Sequence, residues 1–498
     1  MPVFEDLTPG APLLTLEEVV RIALTVHPQI TAAQANVVAT AAKYGMDRAT
    51  SNLIPNATLS TQLLGNYTYN SAPQGLPPPC SPVLLPALNP TMQPINPLMA
   101  SSIAGYLSSG CPSASSPTTA FGSYRANLSL TQLIYDFGRT GGQLATDTAL
   151  TRATGGDRDT ARAQVALQAV TAYYAVLAAE ALYQVAVQNL TTQNQHLDQT
   201  QGFFSIGTRP EIDVLTAKTA AAQAQLQLVQ AKNTVRLDRV QLLQAMGLTD
   251  HSYLGRPLEP GSQAPLPEEA QPINELVQRA LDLRPDYAAA RDRVIAAEEQ
   301  VRVARGGFFP VISLIGTLTG SGSFGSSVNV SGGAVNANLA SSGAPFVSLQ
   351  GGISITWPFD DGGEAYFTLK QNEALVKVAR DTMENLRQQM LAGVEQAYIT
   401  VVNARQNLDA ARVVLAQADK QLETANGRYT SGVGTIIELT DAQNQDITAR
   451  SQLVQAEFSL GVARAGLRMQ LGTLIEQNPA HRDDPPPPGG LAPVNSAN

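Results

Sequence analysis

The stretch Gly207-Thr208-Arg209-Pro210-Glu211-Ile212-Asp213-Val214-Leu215-Thr216-Ala217 has a near copy further along the chain, Gly432-Val433-Gly434-Thr435-Ile436-Ile437-Glu438-Leu439-Thr440-Asp441-Ala442. Each copy follows a long Ala/Gln-rich run and precedes a shorter one. Gly207 is followed 40 residues later by Gly247, and Gly432 is followed 40 residues later by Gly472. Two helical hairpins of equal length in one chain mean an internal repeat, and a repeat decides the fold before any single residue does.

Working outward, the first long helix is predicted from Arg139 to about Gln201. Gly202 to Pro210 forms a turn, and the returning helix runs to Met246. The hairpins therefore cover residues 139–248 and 362–472. Pro210 suits the first turn of a helix, where its missing N–H costs nothing. Gly155-Gly156 falls inside the first long helix, at a cost of about 1 kcal/mol per Gly against Ala. The second copy carries Ala379-Arg380 near that place, so a bend confined to the first copy is expected.

The opening of the chain also occurs twice. Leu16 to Pro28 (LEEVVRIALTVHP) matches Ile273 to Pro285 (INELVQRALDLRP). Thr15 with Glu18 has capping-box spacing, and Leu16, Val19, Val20, Ala23 and Leu24 give a helical apolar stripe. Leu53-Ile54-Pro55 and Phe308-Phe309-Pro310 then end the helices.

Beyond each proline the period changes from 3.6 to 2, the mark of a half-exposed strand. Ala57, Leu59, Thr61 and Leu63 alternate with Thr58, Ser60 and Gln62; Tyr124, Ala126, Leu128 and Leu130 alternate with Arg125, Asn127 and Ser129. The same holds for Ile312, Leu314 and Leu318, and for Val347, Leu349, Ile353 and Ile355. Strands are predicted at about 56–70, 121–136, 310–324 and 346–358. Residues 71–119 read as a Pro/Ser/Asn loop and 325–344 as a Gly/Ser/Asn loop. The domain plan is an extended segment 1–14, a first repeat 15–250, a Pro-rich linker 251–271, a second repeat 272–475, and a disordered tail 476–498.

The 498 residues carry 32 basic and 41 acidic side chains, a net charge of -9 that speaks against a nucleic-acid partner. No uninterrupted apolar run approaches 18 residues, so no transmembrane helix is expected. Met1 to Asp6 has neither the basic start nor the apolar core of a secretory signal. The protein is then intracellular, or its signal is absent from the sequence given. Cys80 and Cys111 share the long loop. A disulfide formed outside the cytoplasm is preferred to two free thiols, and it closes a loop whose chain entropy is large.

Four strands in one chain cannot close a wide barrel, and open edges aggregate. One apolar and one polar face on every strand is what a transmembrane barrel wall needs, with lipid outside and water inside. Closure then takes several chains. Tyr67, Tyr69, Tyr124, Phe324 and Phe346 stand toward the loop ends of the strands, like an interfacial girdle. The fold class is an α+β membrane protein, a transmembrane β-barrel with four strands per chain continued by a long antiparallel α-helical barrel, built from an internal duplication. The competing reading is a soluble or surface-attached helical-bundle tether without channel activity.

The duplicated "Ala-Leu, three residues, Pro" opening, the strand entries at Pro55 and Pro310, the links Asp136-Phe137-Gly138 and Asp360-Asp361-Gly362, and the tips at Gly207 and Gly432 follow one another twice at equal spacing. In this order they resemble the TolC-like outer-membrane factor family, over about residues 14–475. The resemblance implies a homotrimer in the outer membrane, with a twelve-stranded barrel among lipid and a twelve-helix tube through the periplasm. It implies a passive conduit of a tripartite efflux or type I secretion system. Its partners are a periplasmic adaptor that opens the helical tips and an inner-membrane pump of RND, ABC or MFS type. Many members carry an N-terminal lipidated cysteine; no cysteine precedes Cys80 here.

By the same resemblance, Gly207, Thr208, Gly432 and Gly434 are the tip positions that meet the adaptor. The gate and constriction fall on Asp213, Tyr429, Glu438, Asp441 and Arg209. The position where the family places its gate arginine holds Gly434, so Arg209 from the other tip, or Arg428, stands in. Glu438 and Asp441 match acidic-ring positions one turn apart; on the residues alone they read as a helix start favoured by its dipole.

No catalytic, cofactor or metal site is expected. The four histidines His27, His196, His251 and His481 are scattered, and His27 reads as a cap or surface residue. Asp360-Asp361-Gly362-Gly363 lacks the alternating ligands of a calcium loop and reads as a turn.

Overall fold

The computed structural model describes residues 13–51, 55–69, 118–250, 255–259, 266–331, 334–340 and 345–475. Cys80 and Cys111, and the proposed disulfide with them, lie outside these residues, as do His251 and His481. Contacts divide the chain into two units, a helical unit of 1–46, 141–305 and 363–498 and a sheet unit of 47–140 and 306–362.

The helical unit holds two hairpins. In the first, α3 (Arg139–Ser205) returns through α4 (Glu211–Met246); in the second, α7 (Glu364–Thr430) returns through α8 (Ile436–Leu471). The long helices have 67 residues each and the returning ones 36 each. Every boundary of the second hairpin lies 225 positions after its counterpart in the first. At about 1.5 Å per residue each long helix spans about 100 Å.

Two short helix pairs flank them: α1 (Leu16–Val26) with α2 (Pro28–Thr50), and α5 (Ile273–Leu283) with α6 (Pro285–Gly306). Thr15 caps α1 by accepting the Glu18 amide at 3.1 Å. His27 Nδ1 accepts the Gln29 amide at 3.2 Å, so the histidine caps the entry to α2. Val19 and Ala23 of α1, and their counterparts Leu276 and Ala280 of α5, are fully buried. The first pair packs with Val165, Val170 and Tyr173 of α3 and Met246 of α4; the second packs with Met390, Val394 and Val401 of α7 and Leu467 of α8.

Each returning helix ends at a left-handed glycine, Gly247 or Gly472. A Cβ on Gly247 would lie 2.8 Å from His27 Cα, and one on Gly472 3.1 Å from the Leu283 carbonyl carbon. Glycine is therefore needed there for its conformation and for close approach alike. Gly156 serves the second purpose only. The helix runs through Gly155-Gly156 without interruption. A Cβ on Gly156 would sit 2.7 Å from the Pro285 carbonyl oxygen.

Counting apolar runs and averaging hydropathy read α3 differently. By length and composition it is apolar enough to cross a membrane, with a mean hydropathy of 1.5 over its best 18-residue window. Gln and Thr break the runs, while Ala, Val and Leu raise the mean. In this chain 56% of that window is buried.

The sheet unit is antiparallel. Strand β1 (Asn56–Tyr69) pairs β2 (Thr118–Tyr135), which pairs β3 (Val311–Ser331). The far edge of β3 pairs with β4 (Ala334–Ala340) and then with β5 (Phe346–Thr356). The fourth lane is thus built from two strands in succession. The 325–344 segment, expected as a loop, is largely strand: β3 extends to Ser331 and β4 follows. Ser331 pairs Ala334; the Gly/Ser/Asn composition of the segment hides its alternation from a sequence reading.

Register aligns the apolar residues in rows. Leu59 pairs Leu128, Leu128 pairs Leu318, and Leu318 pairs Leu349. Their relative exposures are 72%, 41%, 40% and 80%, so this row faces out of the chain. The neighbouring row, Ser60, Asn127, Thr319 and Ser348, is polar. Of the proposed girdle, Tyr124 falls on the apolar side beside Leu63. Phe346 does not: it pairs Ser321, which pairs Arg125, in a polar row. Counting aromatics near strand ends ignored the alternation, which puts Phe346 opposite Val347 and Leu349. The side chains of Tyr67, Tyr69 and Phe324 lie outside the described set.

A better-defined aromatic group stands at the opposite strand ends. Phe137 stacks on Phe309 with centroids 4.7 Å apart, and Tyr135 meets Phe137 edge-on at 4.7 Å. Trp357 donates Nε1–H to the Phe308 carbonyl at 3.2 Å. Asp136 then turns strand into helix by accepting the amides of Gly138 and Thr140. Asp360 accepts the Gly362 amide in the second link, as expected of a turn.

Candidate functional site: the helical tips

The two tips are built differently from similar sequence. At the first, Gly207 takes φ +77° and donates to the Phe204 carbonyl, while Thr208 donates both its amide and its hydroxyl to the Phe203 carbonyl. Pro210 then caps α4 without a side-chain bond. At the second, Gly432 takes φ +82°, and the amides of Val433 and Gly434 both reach the Arg428 carbonyl. Thr435 caps α8 by accepting the Glu438 amide at 3.2 Å.

Tyr429 is the centre of the site. It is 1% exposed and packs with Ala425, Leu439 and Ala442, and with Phe203 from the first tip. Arg209 lies over its ring with Cζ 4.4 Å from the centroid. The same guanidinium donates Nη2–H to the carbonyls of Tyr429 at 3.0 Å and Gly434 at 3.3 Å. Its Nη1 stands 4.0 Å from the Asp213 carboxylate. Asp213 is buried, one helical turn on, at 6% exposure. One arginine thus clasps the second tip from the first, within a single chain.

Gly434 makes this possible. A Cβ there would lie 2.9 Å from the Tyr429 amide nitrogen and 3.0 Å from the Arg428 carbonyl carbon. The loop folds too tightly for a side chain, and its free carbonyl receives Arg209. Of the two stand-ins expected for the missing arginine, Arg209 reaches Tyr429. Arg428 instead pairs with Glu438, Nε to Oε1 at 3.0 Å, on the exposed side. Glu438 is therefore partly neutralised, whereas Asp441 is exposed.

Sequence reasoning passed over one tip residue. His196 stacks edge-on against Tyr429, with centroids 5.2 Å apart. Thr200 Oγ1 lies 3.4 Å from the Tyr429 hydroxyl. A turn further along, Gln193 of α3 donates to Gln443 of α8 at 3.1 Å, and Asn189 donates to Gln227 of α4 at 3.1 Å. Asn189, Gln193, His196 and Thr200 recur every three or four positions on a single helical face, but only their burial in the structure marks them out. Among the described residues no group of three His, Cys, Asp or Glu side chains is placed to hold a metal ion.

Long paired helices with a clasped tip, in one chain with an antiparallel sheet whose leucine row faces outward, define a class of outer-membrane protein. The profile described as "Outer membrane efflux protein" matches residues 19–248 and 276–473. The chain belongs to that family, and it is an outer-membrane protein. It is 24% identical over 313 residues to the outer membrane protein TolC of Escherichia coli, covering 63% of this chain and 62% of TolC. It is 27% identical over 364 residues to the outer membrane protein OprJ of Pseudomonas aeruginosa, covering 70% of each. The CmeC outer membrane channel of Campylobacter jejuni superposes with a TM-score of 0.67 at 18% identity, over 93% of this chain and 86% of that one, a likeness of fold. The match spans less than two thirds of TolC's length.

Proposed function

We propose that this chain is one of three identical subunits of a passive efflux conduit, its sheet forming a third of a twelve-stranded barrel and its hairpins a periplasmic tube. The observation that carries this is the sheet. Its leucine row is exposed in the single chain, and β1 and β5 leave open edges. Lipid covers the first, and strands of neighbouring chains cover the second. A soluble tether accounts for neither.

In this reading the tips are the closed end. Arg209, Tyr429, Asp213 and Gly434 hold the two hairpins of one chain together, and a periplasmic adaptor joined to an inner-membrane pump engages Gly207, Thr208, Gly432 and Gly434 to release them. Asp441, with Glu438, places acidic rings at the mouth that favour cations. The test is single-channel recording of detergent-purified protein in planar bilayers, beside the double variant Glu438→Gln/Asp441→Asn. Small cation-preferring openings that lose their preference in the variant are expected, with most of the change traced to Asp441. Unaltered selectivity refutes the ring, and protein that purifies without detergent and gives no openings refutes the conduit.

A further inference from the structure

His196 is the tip's unexplained group. It is 5% exposed, and its Nε2 is buried with no hydrogen-bond partner. The ring meets Tyr429, which already carries the Arg209 guanidinium. The groups around it come from every packed element. From α4 comes Asp213, whose charge favours the imidazolium, but Arg209 stands beside that carboxylate. From α7 comes Tyr429, while Arg428 is taken up by Glu438. From α8 comes Gln443, bonded to Gln193. On α3 itself, Gln199 favours the charged form, and Asp198 is exposed. The counterpart 225 positions on is Gln421, so the second repeat has no such group.

We propose that His196 is a proton-operated release for the clasp, resting on the reading of the tips as the closed end. The neutral ring packs against Tyr429 with one nitrogen dry. Protonation adds an N–H that the closed tip leaves without an acceptor, and it puts a second cation against the ring that Arg209 occupies. The imidazolium then gains solvation only by leaving, and the Arg209–Tyr429 contact loosens with it. Burial, the largest influence, holds the closed-state pKa below 6.5, against the opposing effects of Gln199 and Asp213. The closed tip therefore binds fewer protons than the open one. Closure is complete above about pH 6.5 and weakens as pH falls below it.

The test compares wild type, His196→Gln and Arg209→Ala in planar bilayers, reading the ratio of open probability at about pH 5.0 to that at about pH 7.5 in each preparation. Wild type should open more at the acid end than at the neutral end, a ratio above one, because burial holds the closed-state pKa down. His196→Gln should lose most of that ratio. An unchanged ratio in His196→Gln, or a wild type indifferent to acid, overturns the proposal. If Arg209→Ala is as closed as wild type at about pH 7.5, the fault lies instead with the clasp. Independently of any variant, the His196 imidazole resonance of the wild-type protein should titrate below pH 6.5, and a midpoint at or above that value also overturns it.

Discussion

Replacing Arg209 with Ala should open the tips, and replacing Arg428 with Ala should do little, although both arginines stand within a few residues of the same turns. The Arg209 side chain is 18% exposed and the Asp213 side chain 9%. A largely desolvated cation over a tyrosine ring contributes up to about 2 kcal/mol. A hydrogen bond from a charged donor adds about 1.5–3 kcal/mol, and two carbonyls share this donor. Part of that is offset by water entering the vacated space. A net loss of about 2–4 kcal/mol per chain remains, together with a buried Asp213 deprived of its nearby cation. At about 1.4 kcal/mol per tenfold change, the closed-to-open ratio falls about 30-fold at the low end and several hundred-fold at the high end. The Arg428–Glu438 pair is 52% and 42% exposed, and exposed pairs contribute about 0–1 kcal/mol. Single-channel recordings at neutral pH should show long-lived openings in Arg209→Ala and near-wild-type closure in Arg428→Ala. The reverse order, or equal effects, would refute the assignment of the clasp to Arg209.

Two further substitutions probe the parts around it. Gly434→Ala forces a methyl group to within 3.0 Å of the tip backbone. Overpacking of this kind costs about 1–3 kcal/mol, so this variant should leak as Arg209→Ala does, while assembling normally on native gels; a tight, fully closed Gly434→Ala would show that the loop yields without disturbing the clasp. Leu318→Arg puts a cation in the middle of the outward leucine row, at a cost of about 2–4 kcal/mol per chain if that row meets lipid. Insertion into membranes, followed by heat-modifiable migration, should fall sharply. A control at the polar neighbour, Thr319→Arg, should insert far better, and equal insertion of the two would show that the row does not face lipid.

Much of this architecture was legible in the residues. The paired tips at Gly207 and Gly432, the paired ends at Gly247 and Gly472, and the doubled opening at Pro28 and Pro285 set the repeat. Backbone requirements are local, so glycine and proline report them directly. Strand alternation was equally readable where polar and apolar residues differ strongly. It failed across 325–344, where small residues blur the two faces; the alternation of Val347 and Leu349 already put Phe346 on the polar face, which the girdle reading passed over. Composition alone does not fix register.

What the sequence determined, then, is the repeat, the lengths of its helices and the one-sided strands, because each rests on period or on a backbone constraint within a few residues. What the tertiary structure decided is which charge meets which partner. Arg209 and Arg428 are alike as residues near a turn. Only packing of the first tip against the second, 220 residues apart in the case of Arg209 and Tyr429, buries one over an aromatic ring and leaves the other in solvent. His196 follows the same rule: a histidine among exposed and buried neighbours says nothing until the far hairpin brings Tyr429 to its edge, and long-range contacts of that kind leave no trace in local pattern.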